Sequence, residues 1–196
     1  MNPVALDLFR ALAARAEADG RPGPAVLVGD WWGADAVIAP SLDVRAGLRP
    51  PDRPDRFWLG YLGFDVRGGD GPLPETAGGL TDGVLILRSG TWSWVDVAGA
   101  ACPDWVAGVL SSLTSGPDGR DTPGAWSVDW TPPEREPHLA AVAACREAIA
   151  AGEVYQACVC TRFTGTLHGR PADYFADLAA ATKPAKAAFL GGDWGS

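Results

Sequence analysis

The sequence predicts an α+β chain, with helices and antiparallel strand pairs alternating along it, and three stretches carry that prediction. Residues 25–29 with 36–39, and 83–88 with 91–97, are short apolar runs joined by turns too brief for a parallel crossover. Residues 135–163 pass directly from a helical hydrophobic period to an alternating one, with a single glycine, Gly152, between them.

The first helix covers residues 4–18. Leu8, Leu12 and Ala16 step along one side of it, Asn2 is placed to cap its start, and Gly20 lies just past its end. Pro22-Gly23-Pro24 breaks the chain before the first hairpin, which turns about Asp30-Trp31-Trp32-Gly33. Pro50, Pro51 and Pro54 crowd residues 45–56, so this stretch is an irregular connection. Residues 57–65, from Phe57 to Asp65, are too rich in large apolar groups to be exposed. Gly60 and Gly63 within that strand predict a bulge or the close approach of another group. Residues 68–79 read as a glycine- and proline-rich loop. The second hairpin turns at Ser89-Gly90 and puts Trp92, Trp94 and Asp96 on one face. A short helix over 104–113 turns Trp105, Val109 and Leu113 inward, and a polar loop containing Pro117-Asp118-Gly119 covers 115–122.

In the helix beginning at Arg135, the apolar set Leu139, Val142, Cys145 and Ile149 falls within about a third of the circumference at ~100° per residue. Pro137 suits the first turn, where its missing N–H costs nothing, and Gly152 suits the left-handed position that closes a helix. Past Gly152, Tyr155, Ala157, Val159, Thr161 and Phe163 alternate with Val154, Gln156, Cys158, Cys160 and Arg162. Both sets are apolar in the middle, which predicts a strand covered on both faces. A helix over 173–181 and a strand over 186–190 follow. A domain seldom closes on a fresh apolar strand with a free edge, so the chain reads as truncated.

With 196 residues, 47% hydrophobic and 20% charged, the length suits one domain or one and a fraction. The net charge of −8 and a pI near 4.6 argue against a nucleic-acid surface. They leave room for a small anionic substrate, because a bound metal or one arginine reverses the sign within a pocket. The first twenty residues hold Asp7, Arg10, Arg15, Glu17 and Asp19 and are no secretory signal. No run approaches the ~20 apolar residues of a membrane span, so a cytoplasmic protein without membrane contact is expected. Cys102, Cys145, Cys158 and Cys160 have no CxxC spacing and read as reduced, mostly buried thiols. His138 at a helix start and His168 beside Gly169 read as solvated. Asp65 and Glu153 border apolar strands and read as strand-end caps and turn acids. No HExxH, GxSxG, phosphate loop or Rossmann fingerprint is present, so no metal site is predicted and the catalytic residues are unknown.

Two stretches carry a family resemblance. Gly152-Glu153-Val154-Tyr155-Gln156, with the apolar run to Arg162-Phe163, resembles the glycine-acid-x-tyrosine-glutamine segment of the chorismate-utilising enzymes. Trp58-Leu59-Gly60-Tyr61-Leu62-Gly63-Phe64-Asp65 is similar to their upstream glycine-tyrosine segment, in the expected order. The resemblance runs with gaps from Ala25 to about Leu190. It implies large, mostly antiparallel sheets packed with helices. It also implies an N-terminal portion of that fold over residues 1–196, divided into a subdomain at 1–130 and the start of the chorismate-binding region at 131–196.

The activity implied is the addition of ammonia, delivered by a glutamine amidotransferase subunit, to chorismate with Mg²⁺ bound to the substrate. In that family the Mg²⁺ ligands, the acid and base, and a proline-isoleucine-x-glycine-threonine segment lie in the later half of the chain; no such segment occurs here, so the activity is expected of a full-length enzyme and this segment alone is expected to be inactive. Asp30-Trp31-Trp32-Gly33 and the 58–64 pattern favour component I of aminodeoxychorismate synthase over anthranilate or isochorismate synthase. A non-catalytic binding protein that kept the first half of the fold is the rival from another class. Tryptophan feedback in some relatives uses a leucine-glutamate-serine stretch and an asparagine-proline stretch. Val28-Gly29-Asp30 and Lys183-Pro184 stand here instead, which argues against it.

Tyr155 and Gln156 are the substrate-binding candidates the resemblance supplies. The competing reading packs Tyr155 in the core and bonds Gln156 to backbone at a sheet crossing. At strand rise Gln156 and Arg162 lie about 20 Å apart, too far to grip one small molecule together.

Overall fold

The computed structural model describes residues 3–52, 55–63, 73–114 and 126–196, which contain four helices and ten strands. The chain divides into two compact units, one formed by residues 1–124 with 170–196 and the other by residues 125–169. The expected α+β class holds. Asn2, Pro54, Phe64, Asp65 and the loop expected over 115–122 fall outside the described residues.

In the larger unit, helix α1 (Pro3–Ala18) presents Ala5, Leu8, Phe9, Leu12 and Ala16 at helical spacing, all fully buried. Strands β1 (Ala25–Trp31) and β2 (Ala34–Ala39) form a hairpin whose turn residues Trp32 and Gly33 both have positive φ, 53° and 73°. Such a turn matches the right-handed twist of the strands it joins. Strands β6 (Gly83–Arg88) and β7 (Thr91–Asp96) repeat the device at Ser89 and Gly90. With β10 (Lys186–Phe189) they make an antiparallel sheet in the order β10-β1-β2-β6-β7.

Alternation along these strands gives the sheet two apolar faces. Val26, Val28, Ala36, Ile38, Leu85 and Leu87 pack against α1, α2 (Asp104–Thr114) and α4 (Pro171–Thr182). Each large aliphatic group so buried contributes about 1.5–3 kcal/mol relative to exposure. Ala25, Ala39 and Val84 point the other way, onto a small antiparallel sheet ordered β3 (Arg45–Ala46), β5 (Thr76–Thr81), β4 (Phe57–Leu62). The unit is therefore helices, five-stranded sheet and three-stranded sheet, in that order. Phe9 is the hub of the helical side. Its ring lies 5.8 Å from that of Phe175 and 5.3 Å from that of Phe189, joining α1 to α4 and β10.

Two expectations in this unit are overturned. Residues 76–79 belong to β5 and are not loop, because the neighbouring side chains use the space the glycines leave. The Trp58 indole lies across the paired Gly60 and Gly78, and Leu42 fills the place of a Cβ on Gly79. The irregular connection at 45–56 contains the two-residue β3, held against Ala77 and Gly78. The expectation for Gly60 and Gly63 as close-approach positions holds, since a Cβ on Gly63 would sit 2.7 Å from the Glu75 carbonyl oxygen. The short helix buries Val106 most fully, with Trp105, Val109 and Leu113 half-buried around it.

The smaller unit is a two-stranded antiparallel sheet, β8 (Ser127–Thr131) with β9 (Thr164–His168), and helix α3 (Arg135–Ala150) between them in the chain. The helix ends as its sequence predicts. Gly152 takes φ 76°, its N–H donates to the Ile149 carbonyl at 3.1 Å, and the Glu153 N–H donates to that of Ala148 at 2.9 Å. The strand expected over 153–163 is absent. Those residues are coil, and strand structure begins only at Thr164. Among the described residues no other strand pairs with this run, so its backbone has no ladder to join. The expected burial fails with it, since α3 has no buried residue and Leu139 and Ile149 are exposed.

Candidate functional site

Tyr155 and Gln156 lie in the coil that follows α3, and both are exposed, Tyr155 at 93%. The reading that packs Tyr155 into a core is thereby corrected. The chain leaves the helix at Gly152 and continues as coil, with the Tyr155 ring in solvent. Glu153 is an exposed turn residue, as expected.

Farther along the same coil, Cys158 and Cys160 are both free and exposed, which corrects the expectation of mostly buried thiols. Cys102 and Cys145 are half-buried. The Cys160 thiol donates toward the Cys158 sulfur at 3.6 Å. This hydrogen bond, ahead of the electrostatic effect of the same neighbour, holds Cys160 above the ordinary thiol range. Burial does the same for Cys102, with Asp104 adding to it.

A concavity of about 340 Å³ opens at the N-terminus of α3, lined by Glu134, Pro137, His138, Cys160 and Arg162 among others. His138 is half-buried there, not solvated as expected. Its Nδ1 is shielded from solvent and has no hydrogen-bond partner among the described residues. Arg162 supplies the cation of this hollow and Glu134 the anion. Residue types alone could not have found the grouping, because it depends on coil folding back beside the first turn of α3. Tyr155 and Gln156 do not line it. His168 is exposed at the end of β9 and bonds Asp129 through Nε2 at 2.9 Å.

The larger unit holds a wider hollow of about 880 Å³ between the 22–24 turn, residues 42–46, the start of α4 and residues 189–196. Its two arginines are already engaged. Arg45 pairs with Asp43, and Arg170 donates to both carboxylate oxygens of the buried Asp173, at 2.7 and 3.3 Å. Neither is left as a spare cation for an anionic ligand.

In the same unit the first stretch compared with a feedback site, Val28-Gly29-Asp30, lies against the strand that follows the second. Gly29 stands opposite Lys186 across β1 and β10, and a Cβ at Gly29 would collide with the Ala185 carbonyl oxygen. The Lys186 ammonium sits over the Trp31 ring, 5.1 Å from its centroid. Position 29 thus has no room for any side chain.

Residues 39–196 match the family of chorismate binding enzymes. The chain belongs to the chorismate-binding enzyme family. The match includes both stretches that carried the sequence resemblance, the aromatic β4 and the segment after Gly152. Chorismate is the substrate that membership implies. No curated protein matched the chain. Among the described residues no three His, Cys, Asp or Glu side chains converge as ligands. No helix among them is long and apolar enough to cross a membrane.

Proposed function

We propose that this chorismate-binding enzyme chain serves in component I of an aminodeoxychorismate synthase, which aminates chorismate to 4-amino-4-deoxychorismate for p-aminobenzoate and folate synthesis. The observation that carries the reading is the family match over residues 39–196. The choice of member rests on Asp30-Trp31-Trp32-Gly33 and the Trp58–Phe64 pattern. A cytoplasmic glutamine amidotransferase subunit is the proposed source of ammonia, and Mg²⁺ the proposed ion on the substrate. Tyr155 and Gln156 are the proposed substrate contacts, and their exposure leaves both polar ends open to a ligand. The crowding at Gly29 supports an enzyme without tryptophan feedback through that position.

The test is product analysis. The full-length gene product is incubated with chorismate, Mg²⁺ and ammonium, and the products are separated by chromatography. Formation of 4-amino-4-deoxychorismate is expected. Anthranilate or isochorismate would instead assign the chain to the corresponding synthase. The second reading is a non-catalytic binding protein that kept the first half of the fold. Calorimetric binding of chorismate without turnover would establish it over the first.

A further inference from the structure

The coil after α3 contains a pair of thiols to which the proposed amination assigns no part. Cys158 and Cys160 are separated by one residue, both are exposed, and their sulfurs lie 3.6 Å apart, about 1.6 Å beyond a disulfide bond length. In an extended strand, residues two apart lie about 6.6–6.8 Å from each other, at the upper limit of the Cα separation a disulfide spans. Here the run is not in a strand, so no ladder hydrogen bonds resist the small contraction that closure requires. Cys102 and Cys145 are half-buried and carry no such neighbour.

We propose that Cys158 and Cys160 form a thiol-disulfide modification site, a dithiol that closes to an intramolecular disulfide under low-molecular-weight disulfide oxidants. The hydrogen bond fixes the order of events. Cys160 donates toward the Cys158 sulfur, a hydrogen bond that favours negative charge on the accepting atom, so Cys158 supplies the attacking thiolate. That thiolate attacks one sulfur of the oxidant, the sulfur–sulfur bond of the oxidant breaks, and one thiolate leaves. Cys160 then gives its proton to solvent and attacks the Cys158 sulfur, expelling the second thiolate. Two protein thiols are oxidised to one disulfide, and one oxidant molecule is reduced to two thiols. Closure bends the backbone at Val159, so the oxidised segment cannot be drawn out straight between Tyr155 and Arg162.

The sequence provides a clean readout. Trypsin cutting after Arg146 and Arg162 releases a peptide containing Cys158 and Cys160 and no other cysteine. After treatment of the whole protein with oxidised glutathione, then alkylation and digestion, this peptide is expected to have lost two hydrogens and to carry no glutathione. Dithiothreitol should restore both alkylatable thiols. In Cys158→Ser and Cys160→Ser the intramolecular route is closed, and each variant should retain one glutathione on the remaining cysteine, faster in Cys160→Ser. A wild-type peptide that keeps glutathione, stays reduced, or appears linked to the Cys102 or Cys145 peptide would overturn the proposal. The peptide mass is read independently of chorismate turnover, so this experiment and the product assay fail separately.

Discussion

Gly29 is the residue at which the large sheet tolerates least. Its φ of 105° is one that side-chain-bearing residues rarely adopt, and the carbonyl of Ala185 occupies the place its Cβ would take. The two costs are independent, one from the residue's own backbone and one from the neighbouring chain. Gly29→Ala should therefore lose about 1–3 kcal/mol from the conformation alone, and more once β10 is pushed away from β1. Urea denaturation of the whole protein reads the loss directly. A loss well under 1 kcal/mol would mean that β10 gives way freely. The same positive φ accompanies a bulge, since the β1–β2 register shifts between Val28 and Trp31.

At the scale of an element, α3 offers a contrast. Gly152 also has positive φ, but nothing lies within 4 Å of where its Cβ would be. Gly152→Ala should cost only the left-handed backbone penalty, roughly 1–2 kcal/mol, seen as fraying of the last helical turn by circular dichroism. This helix was legible from sequence at both ends because its signals are local, a proline in the first turn and a glycine past the last. The hairpin turns at Trp32-Gly33 and Ser89-Gly90 were legible for the same reason. What followed Gly152 was not, since alternation from Val154 to Phe163 describes the side chains of a strand without supplying the neighbour a strand needs. Strand β5 is hidden in its sequence for the opposite reason. Gly78 and Gly79 look like loop until the Trp58 ring and Leu42 are seen to fill the space above them. Of the candidate site, Tyr155 and Gln156 came from the family pattern. The grouping of His138, Cys160 and Arg162 came only from the folded chain.

At the scale of the whole molecule, the larger unit draws on both ends of the sequence, and the aromatic trio of Phe9, Phe175 and Phe189 is where those ends meet. Phe9→Ala should destabilise this unit by about 3–5 kcal/mol, since the ring is fully buried and its aromatic partners come from two other elements. A chemical-denaturation midpoint that barely moves would show that α4 and β10 hold to the sheet without it. The pairing of Val26 with Phe189 has a further consequence in time. At a synthesis rate of ~5–20 residues per second, β1 waits on the order of 10–30 s after leaving the ribosome before β10 exists to cover its edge. For that interval the nascent chain displays an open apolar strand. Its yield in a cell should therefore depend on holding chaperones more than its final stability would suggest.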